Sequence, residues 1–172
     1  MEELARGQPS PGLYRDYLQR QLRLHLALET PLRDCMPAVW SRLHLHKSDW
    51  LRSDLQAINA DADTRPLPAL AVPSQAAALG VLYVLEGSTL GLQVVRRQLA
   101  AGHPAAHEAG RFIRGHGEHT GRHWKAFIAM LDEVPLQHWD DALAAACATF
   151  ITFQHVFSEP AQARTERDTE TC

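Results

Sequence analysis

The helical spacing of apolar residues is the feature that most constrains the fold of this chain. From Leu13 to about Arg33, residues three or four positions apart form one face of a long helix, which Pro11 and Gly12 precede. The members of this stripe are Tyr14, Leu18, Gln21, His25, Leu28 and Leu32. No segment shows the alternating period of a strand, so the sequence predicts an all-α fold.

Capping residues and helix breakers predict the remaining helices. Ser48 is the expected N-cap of a second helix, and Ser74 caps a third that runs to about Ala101. Between them, NADADTRPLPALAVPS is predicted to be a loop because of its Asp, Asn and Pro content. Three more helices are expected over about residues 105–113, 120–133 and 136–157. The predicted architecture is a bundle of about six helices around one core.

Length and charge place limits on organisation and partners. The 172 residues suit one domain, predicted over residues 13–158, with an extended or disordered stretch at 1–12 and a flexible polar tail at 159–172. The net charge of −3 is mixed along the chain, so neither nucleic acid nor an anionic membrane is an expected partner. Three cysteines without CxxC spacing and no signal-peptide pattern indicate a cytoplasmic protein.

The segment YVLEGSTLGLQVV, residues 83–95, places Gly87 and Gly91 one turn apart in a predicted helix. Each glycine lowers helix stability by roughly 1 kcal/mol relative to alanine, and Gly80 in the same helix adds to this cost. Two explanations remain open. The glycines allow another helix to pack closely, or they allow a flat apolar ligand to lie against bare backbone.

This glycine-bearing segment resembles the distal helix of bacterial heme oxygenases, in particular those associated with bacteriophytochromes, where a glycine pair ends in Gly-Gly-Gln. The segment YRDYLQRQLRLHLALETPL is similar to the second long helix of that family. FIRGHGEHTGRHWKAF is similar to the segment after the distal helix, and ACATFITFQHVF to the closing helix. The resemblance covers roughly Leu13 to Phe157 in collinear order.

The resemblance implies a heme oxygenase-like bundle in which heme lies between a proximal and a distal helix and is oxidised to biliverdin, carbon monoxide and iron. It implies that Gly87 and Gly91 pass beside the heme and that Ser88 helps to order distal water. His25 becomes a candidate distal polar residue, although a core histidine bonded to a backbone carbonyl is an equal alternative. Glu86 is expected to be a structural partner for a helix terminus or an arginine, rather than an acid catalyst.

Two departures from the family pattern argue against efficient catalysis. The proximal histidine of the family lies on a helix that precedes the one beginning here at Leu13, and residues 1–12 contain no histidine. Leu92 stands where the family has the second glycine of its pair, and its side chain is expected to intrude on the heme space.

Two functions therefore remain open. The favoured one is a degenerate heme oxygenase-like protein that binds heme, another tetrapyrrole or a protein partner without efficient catalysis. The alternative is an active enzyme with an unidentified proximal ligand. The sequence also allows a homodimer in which the second copy covers the exposed proximal face.

Histidine is abundant, but no metal site is predicted. His103 and His107 are separated by Pro104, and glycines interrupt the group in HGEHTGRH. These histidines are instead expected to be solvated in loops and at helix starts. Four basic residues could face heme propionates but are left without an assigned role: Arg96, Arg97, Arg122 and Lys125.

Overall fold

The computed structural model describes residues 10–99 and 110–160, and all regular secondary structure in these ranges is helical. The helices are α1 (Pro11–Cys35), α2 (Ala38–His44), α3 (Lys47–Ala57), α4 (Gln75–Leu99), α5 (Arg111–Arg114), α6 (Thr120–Asp132) and α7 (Trp139–Ser158). Short 3-10 turns at Gly117–His119 and Leu136–His138 precede α6 and α7. The all-α prediction is confirmed. The predictions for residues 1–9, for 100–109 with His103 and His107, and for 161–172 lie outside the described residues.

The helix boundaries follow local capping chemistry in two places. Helix α1 begins at Pro11, two residues before the predicted start, because the Ser10 hydroxyl oxygen accepts a hydrogen bond from the Leu13 amide at 3.2 Å. The predicted cap of α4 is also present, since Ser74 Oγ accepts from the Ala77 amide at 3.1 Å. A proline at the first helical position of α1 loses no hydrogen bond, because its missing amide would have no intrahelical partner.

One prediction about a helix start was wrong, and helix α2 was not predicted. Ser48 does not cap α3, which begins one residue earlier with no side-chain cap. The amide and hydroxyl of Ser48 instead donate to the buried carboxylate of Glu29, at 3.0 and 2.6 Å. The Ser48 amide and hydroxyl, which the local capping rule assigns to the start of α3, therefore donate to a carboxylate 19 positions earlier in the chain.

The two long helices α1 and α4 contribute to both halves of the core. All six residues of the stripe on α1 are buried, as the periodicity predicts. One apolar cluster combines α1, α4, α6 and α7 around residues that include Leu28, Leu82, Phe127 and Ala145. The other joins α1, α3, α4 and α5 and includes Tyr14, Leu18, Leu51, Leu92 and Phe112. Each fully buried large apolar side chain stabilises the fold by about 1.5–3 kcal/mol.

The carboxyl end of α7 is held against α1 by an ion pair. Arg23 Nη1 lies 2.6 Å from Glu159 Oε2, and the Arg23 side chain is buried. Glu159 is the first residue of the predicted flexible tail, whose residues 161–172 lie outside the described ranges. The ion pair connects the residue after α7 to α1.

Helix α4 packs against α7 at Gly80. A Cβ atom at Gly80 would overlap the carbonyl oxygen of Ala142 and lie 2.8 Å from its carbonyl carbon. Only a residue without a side chain allows the two backbones to come this close. The close-packing explanation of the glycines therefore holds for Gly80.

One stretch of α4, Gln75–Arg97, is long and apolar enough to match a membrane span by length and composition. In this structure 56% of its most apolar window is buried inside the bundle. The apolar composition of α4 is explained by its place in both core clusters.

Candidate functional site

Gly87 and Gly91 lie on an outward face of α4 that no other described helix backbone covers closely. Among residues 10–99 and 110–160, a Cβ atom at Gly91 would meet nothing within 4 Å, and one at Gly87 would meet only the ring of Trp124, at 3.7 Å. Residues 83, 87, 90, 91 and 94 share this side of the helix, since their spacing matches its 3.6-residue period. We call these five residues the glycine face. Tyr83 and Val94 on it are 41% and 54% exposed, so the face is apolar and open.

Trp124 from α6 borders the glycine face. Its ring packs against the rings of Tyr83 and Phe127, with centroids 5.6 Å away in both cases. No role for Trp124 is predicted from the sequence. A tryptophan at helical spacing is usually a core residue, and only its family-like context in HWKAF could have identified it.

The structure brings together only two of the four predicted heme-facing residues of α4. The half-buried Ser88 donates its hydroxyl to the Leu85 carbonyl at 2.8 Å, so this hydroxyl bonds its own helix. Leu92 is buried in the cluster of Tyr14, Leu18 and Phe112, instead of lying beside Gly91. Successive helical residues point about 100° apart, which carries the Leu92 side chain away from the glycine face and into the core.

A buried lysine is bonded to the part of α4 that carries Gly87. Lys47, only 1% exposed, donates through Nζ to the Leu85 carbonyl at 3.0 Å, to Glu86 Oε1 at 3.0 Å and to Thr89 Oγ1 at 2.8 Å. Each proton of the ammonium group therefore has an acceptor, which a buried charge requires. All three acceptors lie within one turn of α4 around Gly87. We call Lys47, Glu86, His44 and Thr89 the buried ion network.

Glu86 is the anion of this network. Its Oε1 atom also lies 3.2 Å from His44 Nδ1, and its Oε2 atom lies 3.9 Å from His116 Nε2. Burial alone would raise the pKa of Glu86, but the Lys47 charge and the contact with His44 outweigh burial and lower the pKa to about 2. Glu86 is therefore ionised at neutral pH. It is a structural partner as predicted, although its partners are a lysine and a histidine instead of a helix end or an arginine.

His25 lies in the core between Glu29 and Phe112. It is 1% exposed, its Nδ1 atom is 3.3 Å from Glu29 Oε1, and its ring meets the Phe112 ring edge-on at a centroid distance of 5.5 Å. Burial lowers the pKa of His25 despite the opposing effect of the Glu29 carboxylate. His25 is thus a core histidine whose neighbour is a carboxylate. The sequence predicts either a core histidine bonded to a backbone carbonyl or a polar residue on the distal side of a heme.

The histidines near α6 pack as rings. His116 and His123 stack with centroids 3.8 Å apart and planes within 10°, and Trp50 meets His116 edge-on. Burial and the neighbouring His123 lower the pKa of His116 to about 4. The expectation that these histidines are solvated is wrong for His116, whose side chain is only 9% exposed. Within residues 10–99 and 110–160, no three His, Cys, Asp or Glu side chains are arranged to hold a metal ion.

Comparisons with known proteins agree with the resemblance read from the sequence. The family described as "Heme oxygenase" matches residues 1–159. A protein described as "Heme oxygenase" from Xanthomonas campestris pv. campestris (strain 8004) is 33% identical over 162 residues, which cover 89% of this chain and 93% of the relative. The NO- and CO-bound heme oxygenase from Neisseria meningitidis has a similar fold, with a TM-score of 0.69 at 20% identity over 98% of this chain and 89% of that one.

Proposed function

Because this chain belongs to the heme oxygenase family, we propose that it binds heme, or a tetrapyrrole of the same flat shape, against the glycine face and turns heme over inefficiently. The observation that carries the binding proposal is the environment of Gly91. This glycine destabilises α4 by roughly 1 kcal/mol, yet nothing in the described structure lies within 4 Å of the position its Cβ would take. Gly80, by contrast, is explained by helix packing.

The residues of the glycine face fit the apolar plane of a porphyrin. Bare backbone at Gly87 and Gly91 allows a ring system to approach the helix, while the exposed Tyr83 and Val94 supply apolar contact at the two ends of the face. Trp124 limits the face along one edge. When bound, heme supplies the redox chemistry, and the protein supplies orientation and hydrogen bonds. The buried ion network has the role of holding the backbone of α4 in place beneath this face.

Inefficient turnover is proposed because three histidines, one of them a member of the network, already have other contacts. His44 lies against Glu86, His25 is enclosed by Glu29 and Phe112, and His116 is stacked on His123. Each would need to leave its contacts in order to ligate iron beside the glycine face. A misplacement near 1 Å at a reacting centre can lower the rate by about 100-fold. An active enzyme with a proximal ligand from another source is the alternative, and a cytoplasmic location is part of either proposal.

Hemin titration tests the binding site. Replacing Gly91 with leucine is expected to weaken hemin binding by about tenfold or more, since the new side chain fills the space that the ring would take. The matched control is Gly12→Leu, which also alters a helical glycine with no described atom within 4 Å of its Cβ position but lies in the first turn of α1, a helix that contributes no residue to the glycine face. Equal hemin affinity in Gly91→Leu and the unmodified chain would refute this site.

Turnover requires a separate assay. With hemin, a competent electron donor and catalase, the unmodified chain is expected to form little or no biliverdin, because His25, His44 and His116 are held in other contacts and would not be free to bind iron. Catalase removes free peroxide, which can degrade heme without an enzyme. Steady formation of biliverdin under these conditions would support the active alternative while leaving the proposed binding face intact.

A further inference from the structure

Helix α7 is apolar on its outer side as well as on its buried side. Leu143, Phe150 and Ile151 are 63%, 52% and 64% exposed, and Ala144 and Cys147 beside them are also exposed. We call these five residues the α7 outer face. The sequence contains no Asp, Glu, Lys or Arg from residue 142 to residue 158. A helix that is apolar all round is normally covered on all sides.

The stretches of this chain outside the described residues do not have the composition to cover that face. Residues 1–9, 100–109 and 161–172 together contain only Met1 and Leu4 as large aliphatic residues, and they contain no aromatic residue. Their composition offers few apolar side chains for such a cover, which favours a second molecule.

The α7 outer face is complementary to itself. If two copies of α7 run antiparallel about a two-fold axis at Cys147, Leu143 of one copy lies opposite Ile151 of the other. In the same register the small Ala144 lies opposite the large Phe150, so side chains of different size interdigitate. The small residues at the centre allow the helix axes to approach to about 8 Å, the lower end of the usual range.

The polar residues at the two ends of α7 fit the same arrangement. The first turn of α7 carries Asp140 and Asp141, and the last turn carries His155. Antiparallel pairing brings the acidic first turn of each copy near the histidine of the other, and it also aligns the helix dipoles favourably. A parallel arrangement would bring the two acidic turns together.

We propose that the α7 outer face is the contact surface of an antiparallel homodimer whose two-fold axis passes near Cys147. The interface is independent of tetrapyrrole binding, because it is formed by α7 and the glycine face lies on α4. Its centre is apolar and its ends are polar, as is usual for a specific protein interface.

The full chain without hemin provides the test. Sedimentation equilibrium at micromolar concentration is expected to give about twice the 19.2 kDa mass of one chain. Leu143→Lys and Ile151→Glu, each alone, are expected to weaken dimerisation by at least about tenfold, since each places an unpaired charge in an apolar contact. The double variant is expected to recover the dimer, because each introduced ammonium group lies opposite an introduced carboxylate of the second copy. Val94→Glu, which changes an exposed apolar residue on α4, is the control and should remain dimeric.

Cross-linking gives a second measurement that needs no change to the outer face. In a chain with Cys35→Ser and Cys172→Ser, mild oxidation is expected to join two copies through Cys147, which is free and exposed. A monomeric unmodified chain, dimers that survive both single variants, or a double variant that stays monomeric would each overturn the proposed pairing. A monomer that binds neutral lipid vesicles through the α7 outer face would overturn it in favour of a membrane surface.

Discussion

Replacing Lys47 with methionine is expected to lower the free energy of unfolding by about 3–5 kcal/mol, because it leaves the ionised Glu86 buried without its main counter-charge. Lys47 is 1% exposed, and its ammonium group donates to acceptors from one short stretch of α4. Methionine cannot donate these hydrogen bonds, and the site is closed to solvent. Urea unfolding followed by circular dichroism at pH 7 measures the change.

The matched control for this experiment is Lys125→Met, which removes the same charge from an exposed position on α6. That variant should change the free energy of unfolding by less than about 0.5 kcal/mol. Adding Glu86→Leu to Lys47→Met should restore part of the stability, since the pair is then removed as a unit. If Lys47→Met is no less stable than Lys125→Met, the ion network does not hold α4.

Gly80→Ala is expected to lower the free energy of unfolding by about 2 kcal/mol or more, although alanine is the better helix former. The added Cβ would overlap the backbone carbonyl of Ala142, and a backbone atom cannot move aside as a flexible side chain can. Helices α4 and α7 would have to separate along an extensively packed contact. Thermal and urea unfolding of the variant provide the measurement.

Gly91→Ala is the matched comparison on the same helix, and it is expected to raise the free energy of unfolding by up to about 1 kcal/mol. Opposite signs at the two positions would separate a glycine needed for helix packing from one whose bare backbone is left open. Destabilisation of the same size at both positions would contradict this distinction, and with it the main support for a ligand at the glycine face.

The two expected effects concern the same helix for different reasons. Gly80 sets how closely α4 approaches α7, and Lys47 bonds the backbone and side chains around Gly87. Both contacts fix the inner side of α4 against the bundle. Gly87 and Gly91 leave its outer side without a close backbone neighbour among the described residues. A binding face on a rigid element is better placed to orient a flat ligand than one on a loop.

The candidate site could be predicted only in part. The glycines of the site were identified because glycine inside a helix is locally unfavourable and therefore visible in the sequence. Trp124 and Lys47 were not, because an aromatic residue at helical spacing and a lysine near a helix start have ordinary local explanations. Leu92 was expected beside the heme, and only the packing around Tyr14 and Phe112 shows where its side chain lies.

The sequence by itself determined the helical class, the buried stripe of α1, the Ser74 cap and the loop before α4, because each depends on residues within a few positions of one another. Only the tertiary structure decided that Ser48 donates to Glu29 and that Glu86 pairs with Lys47. It also decided which of the three glycines in α4 lies against another helix backbone. Those outcomes depend on residues from 19 to 62 positions apart being brought into contact, as in the Ser48–Glu29 and Gly80–Ala142 pairs. Local propensity carries no information about such contacts, since their energy arises only when the helices pack.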